Sequence, residues 1–275
     1  MAPAVTSDDL RRGVSELGLS GTSVCVHSSL RSFGHVEGGA DAVVGAFLAE
    51  ECTLVVPAFA ALIFGLAPPE AMRPERNGID YDVPHESPGR DRIFTPASDE
   101  LSPSMGAIPA AVLARPERVR GNHPLCSFAA IGPGADLVGE QRPLDVYAPL
   151  RILASRDGFV LLIGVGLDRM TLLHLAEERS GRTLFRRWAN GPDGLPMEVE
   201  TGGCSDGFGN FERVLAPLER ETRVGESRWR AFPARPALAA ATDAIREDPS
   251  ITHCGRDDCP RCRDAVAGGP RYSSS

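Results

Sequence analysis

The chain has 275 residues, enough to bury a sizeable core, and at 42% hydrophobic and 24% charged it has the composition of an ordinary globular protein. Its net charge of -8, without a basic stripe, argues against a nucleic-acid partner and suits cationic ligands. No apolar run approaches the roughly 20 residues of a membrane span, and MAPAVTSDDLRRG holds no hydrophobic leader core, so neither a membrane nor a secretory route is expected and the cytoplasm is the expected location.

In chain order, Ser7 reads as the cap of a helix through Leu17, with Leu10, Val14 and Leu17 on one face. Ser23–His27 reads as a buried strand, Gly38–Glu50 as a helix and Cys52–Pro57 as a second strand. Leu66 to Ser104 breaks the alternation: it is rich in Pro, Gly, Asp and Arg, and a loop of that length is either functional or disordered. Met105–Leu113 returns as a helix and Ser127–Ile131 as a strand. Phe159–Ile163 is an apolar strand closed by Gly164 and Gly166, after which Asp168 and Arg169 lead into a helix opened by Thr171. Leu172, Leu175 and Ala176 form its apolar stripe, with Glu177 and Glu178 on the other side. Met197–Glu200 suggests an antiparallel excursion, and Arg235–Glu247 is a helix. The pattern predicts an α/β fold: a central, largely parallel sheet flanked by helices, with an antiparallel C-terminal excursion. Residues 1–265 read as a single domain and 266–275 as a flexible tail.

Several segments carry chemistry. His174 sits one turn into its helix, just past a strand's carboxyl end, where open α/β sheets bind ligands; it is a candidate general base. HSSLRSFG, His27 to Gly34, offers hydroxyls, backbone N–H groups and the Arg31 fork to an oxyanion, or is an ordinary capped turn. Ser102 and Ser104 precede a helix start with the same two readings. His123, ahead of Pro124, either holds a loop or supports the site from behind. Glu200, Cys204 and Asp206 surround a double glycine, where an acid can orient an imidazole or cap the turn.

Seven cysteines in this setting do not imply disulfides. Cys25, Cys52 and Cys126 read as core residues. His253, Cys254, Cys259 and Cys262 lie within ten residues, and the CPRC spacing lets two thiolates reach one zinc; Cys204 or His253 would complete the set. Residues 253–262 read either as surface thiols kept reduced or as the ligands of a structural zinc.

HSSLRSFG, TPASDELSPSMG, HPLCSFAAIG, GVGLDRMTLLHLAEE and VETGGCSDGF occur in the order and rough spacing of the aminoglycoside 3-N-acetyltransferase family, which the chain resembles from about Asp8 to about Ala265. The resemblance implies an acetyl-coenzyme A-dependent N-acetyltransferase with that family's α/β fold. By matching motifs, Ser28, Ser29, Leu30, Arg31, Ser32 and Gly34, with Ser102, Ser104 and Met105, would bind coenzyme A. His174 would be catalytic, supported by Glu200 or Asp206, and Thr171 or a backbone N–H would stabilise the oxyanion. The implied acceptor is an aminoglycoside, acetylated at the 3-amino group of 2-deoxystreptamine to give antibiotic resistance. For such a polycation, Asp80, Asp82, Glu86, Asp99 and Glu100 in the loop region would frame the acceptor, or form a solvated face. Another amine, such as a biosynthetic intermediate, or a non-catalytic coenzyme A-binding protein, are the alternatives. A cysteine acyl-enzyme at Cys204 or Cys126 is the competing chemical route. A homodimer is compatible with the sequence. Leu66–Arg92 matches the family poorly, and Leu167 and Leu125–Cys126 depart from its commoner residues.

Overall fold

Thr6, rather than Ser7, caps the first helix. Its hydroxyl accepts from Asp9 N at 3.2 Å while the Asp9 carboxylate accepts from Thr6 N at 3.0 Å, so two orphan N–H groups are satisfied reciprocally. The computed structural model describes residues 3–272. In chain order it contains α1 (Ser7–Glu16), β1 (Ser23–Ser28), α2 (Gly39–Ala49), β2 (Thr53–Pro57), α3 (Ala61–Phe64), α4 (Ala107–Leu113), β3 (Val119–Arg120), β4 (Phe128–Ile131) and α5 (Ala148–Ser155). There follow β5 (Phe159–Ile163), α6 (Leu172–Arg179), β6 (Phe185–Asn190), β7 (Pro196–Thr201), α7 (Glu212–Leu215), β8 (Arg220–Val224), β9 (Ser227–Pro233), α8 (Ala234–Glu247) and α9 (Pro260–Val266). Among the described residues no helix is long and apolar enough to cross a membrane.

Seven strands form one sheet in the order β3-β4-β2-β1-β5-β9-β8. β1 pairs parallel with β2 and β5, and the outer strands on both sides are antiparallel. The parallel core is as expected from the apolar runs. The antiparallel flanks extend further than the sequence suggests, because the short β3 and β4 carry no crossover helix between them. The expected C-terminal excursion is the separate β6–β7 hairpin, joined in register from Phe185↔Thr201 to Asn190↔Pro196.

The alternation along β1 divides the core in two. Val24 and Val26 face the side covered by α1, α2 and α4, while Cys25 faces α5, α6 and α8. On the first side Trp229 is fully buried, stacked on Phe47 and edge-on to Phe33 at centroid distances of 6.0 and 5.9 Å.

The long segment after Leu66 is ordered by side chains that act as backbone surrogates. Buried Arg120 donates to Ala58 O, Ser98 O and Glu100 O at 2.7–2.9 Å and to Ser127 Oγ at 3.0 Å. Asn190 Nδ2 donates to Gly89 O, Arg90 O and Arg92 O, and Asn77 exchanges two 2.8 Å bonds with the backbone of Arg186. The start of the expected flexible tail is also held. Arg271 N donates to Arg76 O at 2.9 Å and Tyr272 Oη to Glu198 at 3.0 Å, while 273–275 lie outside the described residues.

Candidate active site

Because β1 and β5 are parallel neighbours, the loops leaving their carboxyl ends meet: Ser28 pairs with Ile163, and Ser29 N donates to Ile163 O at 2.9 Å. Gly164, at φ +62°, has no side chain to collide with Ser32, so the turn after β1 nests on the turn after β5. Above this junction opens a cleft of about 1410 Å³. Its walls include Ser28–Arg31, Gly34, Ser104–Ala107, Gly164, Asp168–Thr171, His174, Thr201–Gly203 and Ser205. This is the carboxyl-end position where α/β sheets bind ligands.

His174 is 8% exposed, and its Nδ1 lies 2.7 Å from Glu177 Oε2. A carboxylate at Nδ1 fixes the neutral tautomer with its proton there, leaving the Nε2 lone pair for the cleft. The ring is clamped between Tyr147, parallel at 6.2 Å, and Phe208, tilted at 4.7 Å. Gly202 closes the clamp: a Cβ there would lie 2.5 Å from both His174 Cγ and Tyr147 Oη. Glu177 is buried too, and its other oxygen accepts from Arg182 Nη1 at 2.7 Å. Arg182 in turn donates to Thr252 Oγ1 at 2.8 Å. A line of buried charge thus runs from Arg182 through Glu177 to the imidazole.

This corrects the sequence expectation. The apolar stripe sets Glu177 on the other side of its helix, yet Leu172 to Glu177 are all buried, because α6 is covered nearly all round. Glu200, the expected support, has its carboxylate 2.8 Å from Arg186 Nη1 and is not among the residues lining the cleft. Its backbone is what matters. Glu200 N donates to Pro143 O at 2.7 Å, and its carbonyl lies 2.8 Å from His123 Nε2. Since His123 Nδ1 accepts from Cys126 N at 2.9 Å, Nε2 carries the proton and donates. His123 therefore holds loops, and burial pushes its pKa down to about 4. Asp206 is an exposed partner of Arg256 at 3.1 Å.

Of the expected coenzyme A segments, Ser28, Ser29, Leu30, Arg31, Gly34, Ser104 and Met105 line the cleft. Ser32 and Ser102 do not. Ser32 Oγ is bound to Ser29 O and Ser227 Oγ, both at 2.7 Å, and buried Ser102 packs beneath the loop through its N–H to Phe59 O at 2.9 Å. Thr171 lines the cleft three residues before His174, its hydroxyl unused as a helix cap. Sequence reading missed His27, which borders the cleft but is buried, so that burial first and the Arg169 charge second push it down to about 3. Asp80, Asp82, Glu86, Asp99 and Glu100 are not among the lining residues. Asp80 and Glu86 border a separate hollow of about 320 Å³, and Asp168 is the carboxylate that the cleft's described residues provide.

Neither cysteine proposed as a nucleophile fits that role. Cys126 borders the cleft, but burial pushes its thiol up to about 12, which keeps it protonated at neutral pH. Cys204 is buried in a cluster with Cys254, Cys259 and Cys262 behind the Gly202–Ser205 turn, and the four sulfurs lie within 4.8 Å of one another. His253 stands outside that set, its Nδ1 accepting from Gly255 N at 3.1 Å.

Fold and site together define a class: a mixed α/β sandwich that carries a buried histidine–carboxylate pair at the carboxyl ends of its central parallel strands, facing a wide cleft. The chain belongs to the aminoglycoside 3-N-acetyltransferase family, whose sequence profile matches residues 25–246, as the five motifs imply. It is 36% identical over 183 residues to a prophage-derived aminoglycoside N(3')-acetyltransferase-like protein of Bacillus subtilis, covering 63% of this chain and 65% of the relative. It is 34% identical over 186 residues to aminoglycoside N(3)-acetyltransferase IX of Micromonospora chalcea, covering 63% and 62%. These alignments thus span less than two thirds of either relative's length. Over the whole fold the chain is similar to a variant of the aminoglycoside acetyltransferase AAC(3)-IVa crystallised with a gentamicin, with TM-score 0.78, 27% identity, and 98% and 99% of the two chains covered.

Proposed function

We propose that the protein transfers acetyl from acetyl-coenzyme A to an aminoglycoside, at the 3-amino group of 2-deoxystreptamine, and so confers resistance. The observation that carries this reading is the buried His174–Glu177 pair, 2.7 Å apart, beside a cleft walled by Ser28–Arg31 and Ser104–Met105. Family membership supports the reaction class, and the gentamicin complex of the structural relative supports the acceptor class. Acetyl-coenzyme A is a cytosolic metabolite, which fits the location expected from the sequence. A structural zinc would not touch the reacting atoms.

In this mechanism the hydroxyls and backbone of Ser28–Arg31, with Ser104, hold the coenzyme's anionic and amide groups. The acceptor amine attacks the thioester carbonyl carbon, forming the C–N bond and giving its proton to His174 Nε2. Glu177 offsets the imidazolium charge through Nδ1–H, as the third member of a catalytic triad does. Thr171 Oγ1 donates to the developing oxyanion. Collapse breaks the C–S bond, and the departing thiolate takes the proton back from His174. General-base assistance of this kind contributes on the order of 10²–10⁴-fold.

Acetyl transfer to a panel of aminoglycosides, followed by thiol release, tests the reading. Turnover on several of them, lost in His174→Ala and located on the 3-amino group by mass spectrometry, is the expected result. Coenzyme binding without turnover on any aminoglycoside would redirect the search to other amines, and undiminished turnover in His174→Ala would refute the base assignment.

A further inference from the structure

We propose that Cys204, Cys254, Cys259 and Cys262 bind one zinc ion as a structural tetrathiolate centre, and that this centre holds the Gly202–Ser205 turn against the His174 imidazole. The four sulfurs lie within 4.8 Å of one another, and three of the residues are buried, Cys254 being half-buried. Zinc bonded to four thiolates at about 2.3 Å places them roughly 3.8 Å apart, so a contraction of about 1 Å or less closes the site. A backbone N–H already serves the sulfurs: Cys254 N donates to Cys262 Sγ at 3.4 Å, the kind of outer contact that steadies a metal's ligands. Four clustered thiols, three of them buried, with no disulfide among them and little apolar packing besides one another, are otherwise a poor core.

Two routes connect this cluster to the catalytic pair. Cys204 follows Gly202 and Gly203, whose missing side chains let the backbone press on His174 and Phe185. Cys254 follows Thr252, which Arg182 holds at 2.8 Å while also holding Glu177. Asn210 ties the two segments together by donating to Ile251 O at 2.9 Å and His253 O at 3.3 Å, and Phe208 between them contacts the imidazole. Without the ion, the turn on one side of His174 and the anchor on the other are joined by these side-chain bonds and by the packing of Gly207 against Thr252 and His253.

The experiment begins with metal analysis of protein purified under reducing conditions from zinc-supplemented cells. One zinc per chain is expected, with thiolate-to-metal absorption after cobalt exchange. Cys262→Ser should lose the metal, Cys254→His should retain it, and His253→Ala should leave both metal and turnover unchanged. Loss of metal should lower kcat on the order of 10–100-fold with little change in the KM for acetyl-coenzyme A. That kinetic arm rests on the acetyl-transfer reading, whereas metal content and the cobalt spectrum do not. Metal-free protein that takes up neither zinc nor cobalt under reducing conditions, iron in place of zinc, or zinc retained when Cys204 and Cys262 are replaced together would each overturn the proposal. The cobalt spectrum of the unmodified chain decides the matter even if a variant does not fold.

Discussion

Glu177 lies three residues beyond His174 on the same helix, the spacing at which side chains on a helix meet. The pair was therefore legible in principle, but the apolar stripe of Leu172, Leu175 and Ala176 suggested that the acids face water. That inference fails because a helix buried on most sides has no solvent face to which a carboxylate must turn, and Arg182 supplies the counter-charge instead. Glu177→Gln should lower kcat/KM between roughly 10²- and 10⁴-fold, since the amide can hold the ring but cannot offset an imidazolium. Glu200→Gln should leave kcat close to wild type, because the contacts of Glu200 with the site run through its backbone. Steady-state kinetics of the two variants from pH 5 to 9 would separate these roles, and a reversed order would return the supporting role to Glu200.

At the scale of elements, the central strands were legible because a run such as Phe159–Ile163, buried along its whole length, can have little other explanation. The segment after Leu66 was not, because much of what orders it lies outside it. Its order comes from Arg120, Asn190 and Asn77, of which the first two lie far along the chain and donate to carbonyls that no strand or helix satisfies. Such contacts leave no periodic trace in sequence. Arg120→Met should therefore cost on the order of 2–5 kcal/mol, by stranding buried carbonyls that lose their donor. Urea unfolding would measure that loss, and limited proteolysis should then cut between residues 66 and 104. A variant as stable and as resistant as wild type would show that the segment is ordered by something else.

For the whole molecule, two buried imidazoles tie stability to pH. In the folded state His27 is pushed down to about 3 and His123 to about 4, in both cases chiefly by burial, from an ordinary value of 6.5. Below 6.5 the unfolded chain therefore binds more protons, and stability falls with pH until the folded values are reached. The slope is at most about 1.4 kcal/mol per pH unit for each group. Denaturant midpoints at pH 7 and pH 5 should differ less for His27→Asn than for wild type. Equal differences would mean that His27 is not the group that resists protonation.

The adjacency of β1 and β5 also governs when the protein can become competent. Val24 finds Leu54 on one edge soon after synthesis, but its other edge must wait for Phe159, and β5 then waits for Phe232 of β9. Contacts so distant in sequence carry a large loop-closure cost and form slowly, leaving the edge of β1 unpaired on the emerging chain. Because the cleft straddles that same seam, no nascent fragment ending before β5 can hold it. Refolding yields and chaperone dependence should thus track the closing of a single strand pair.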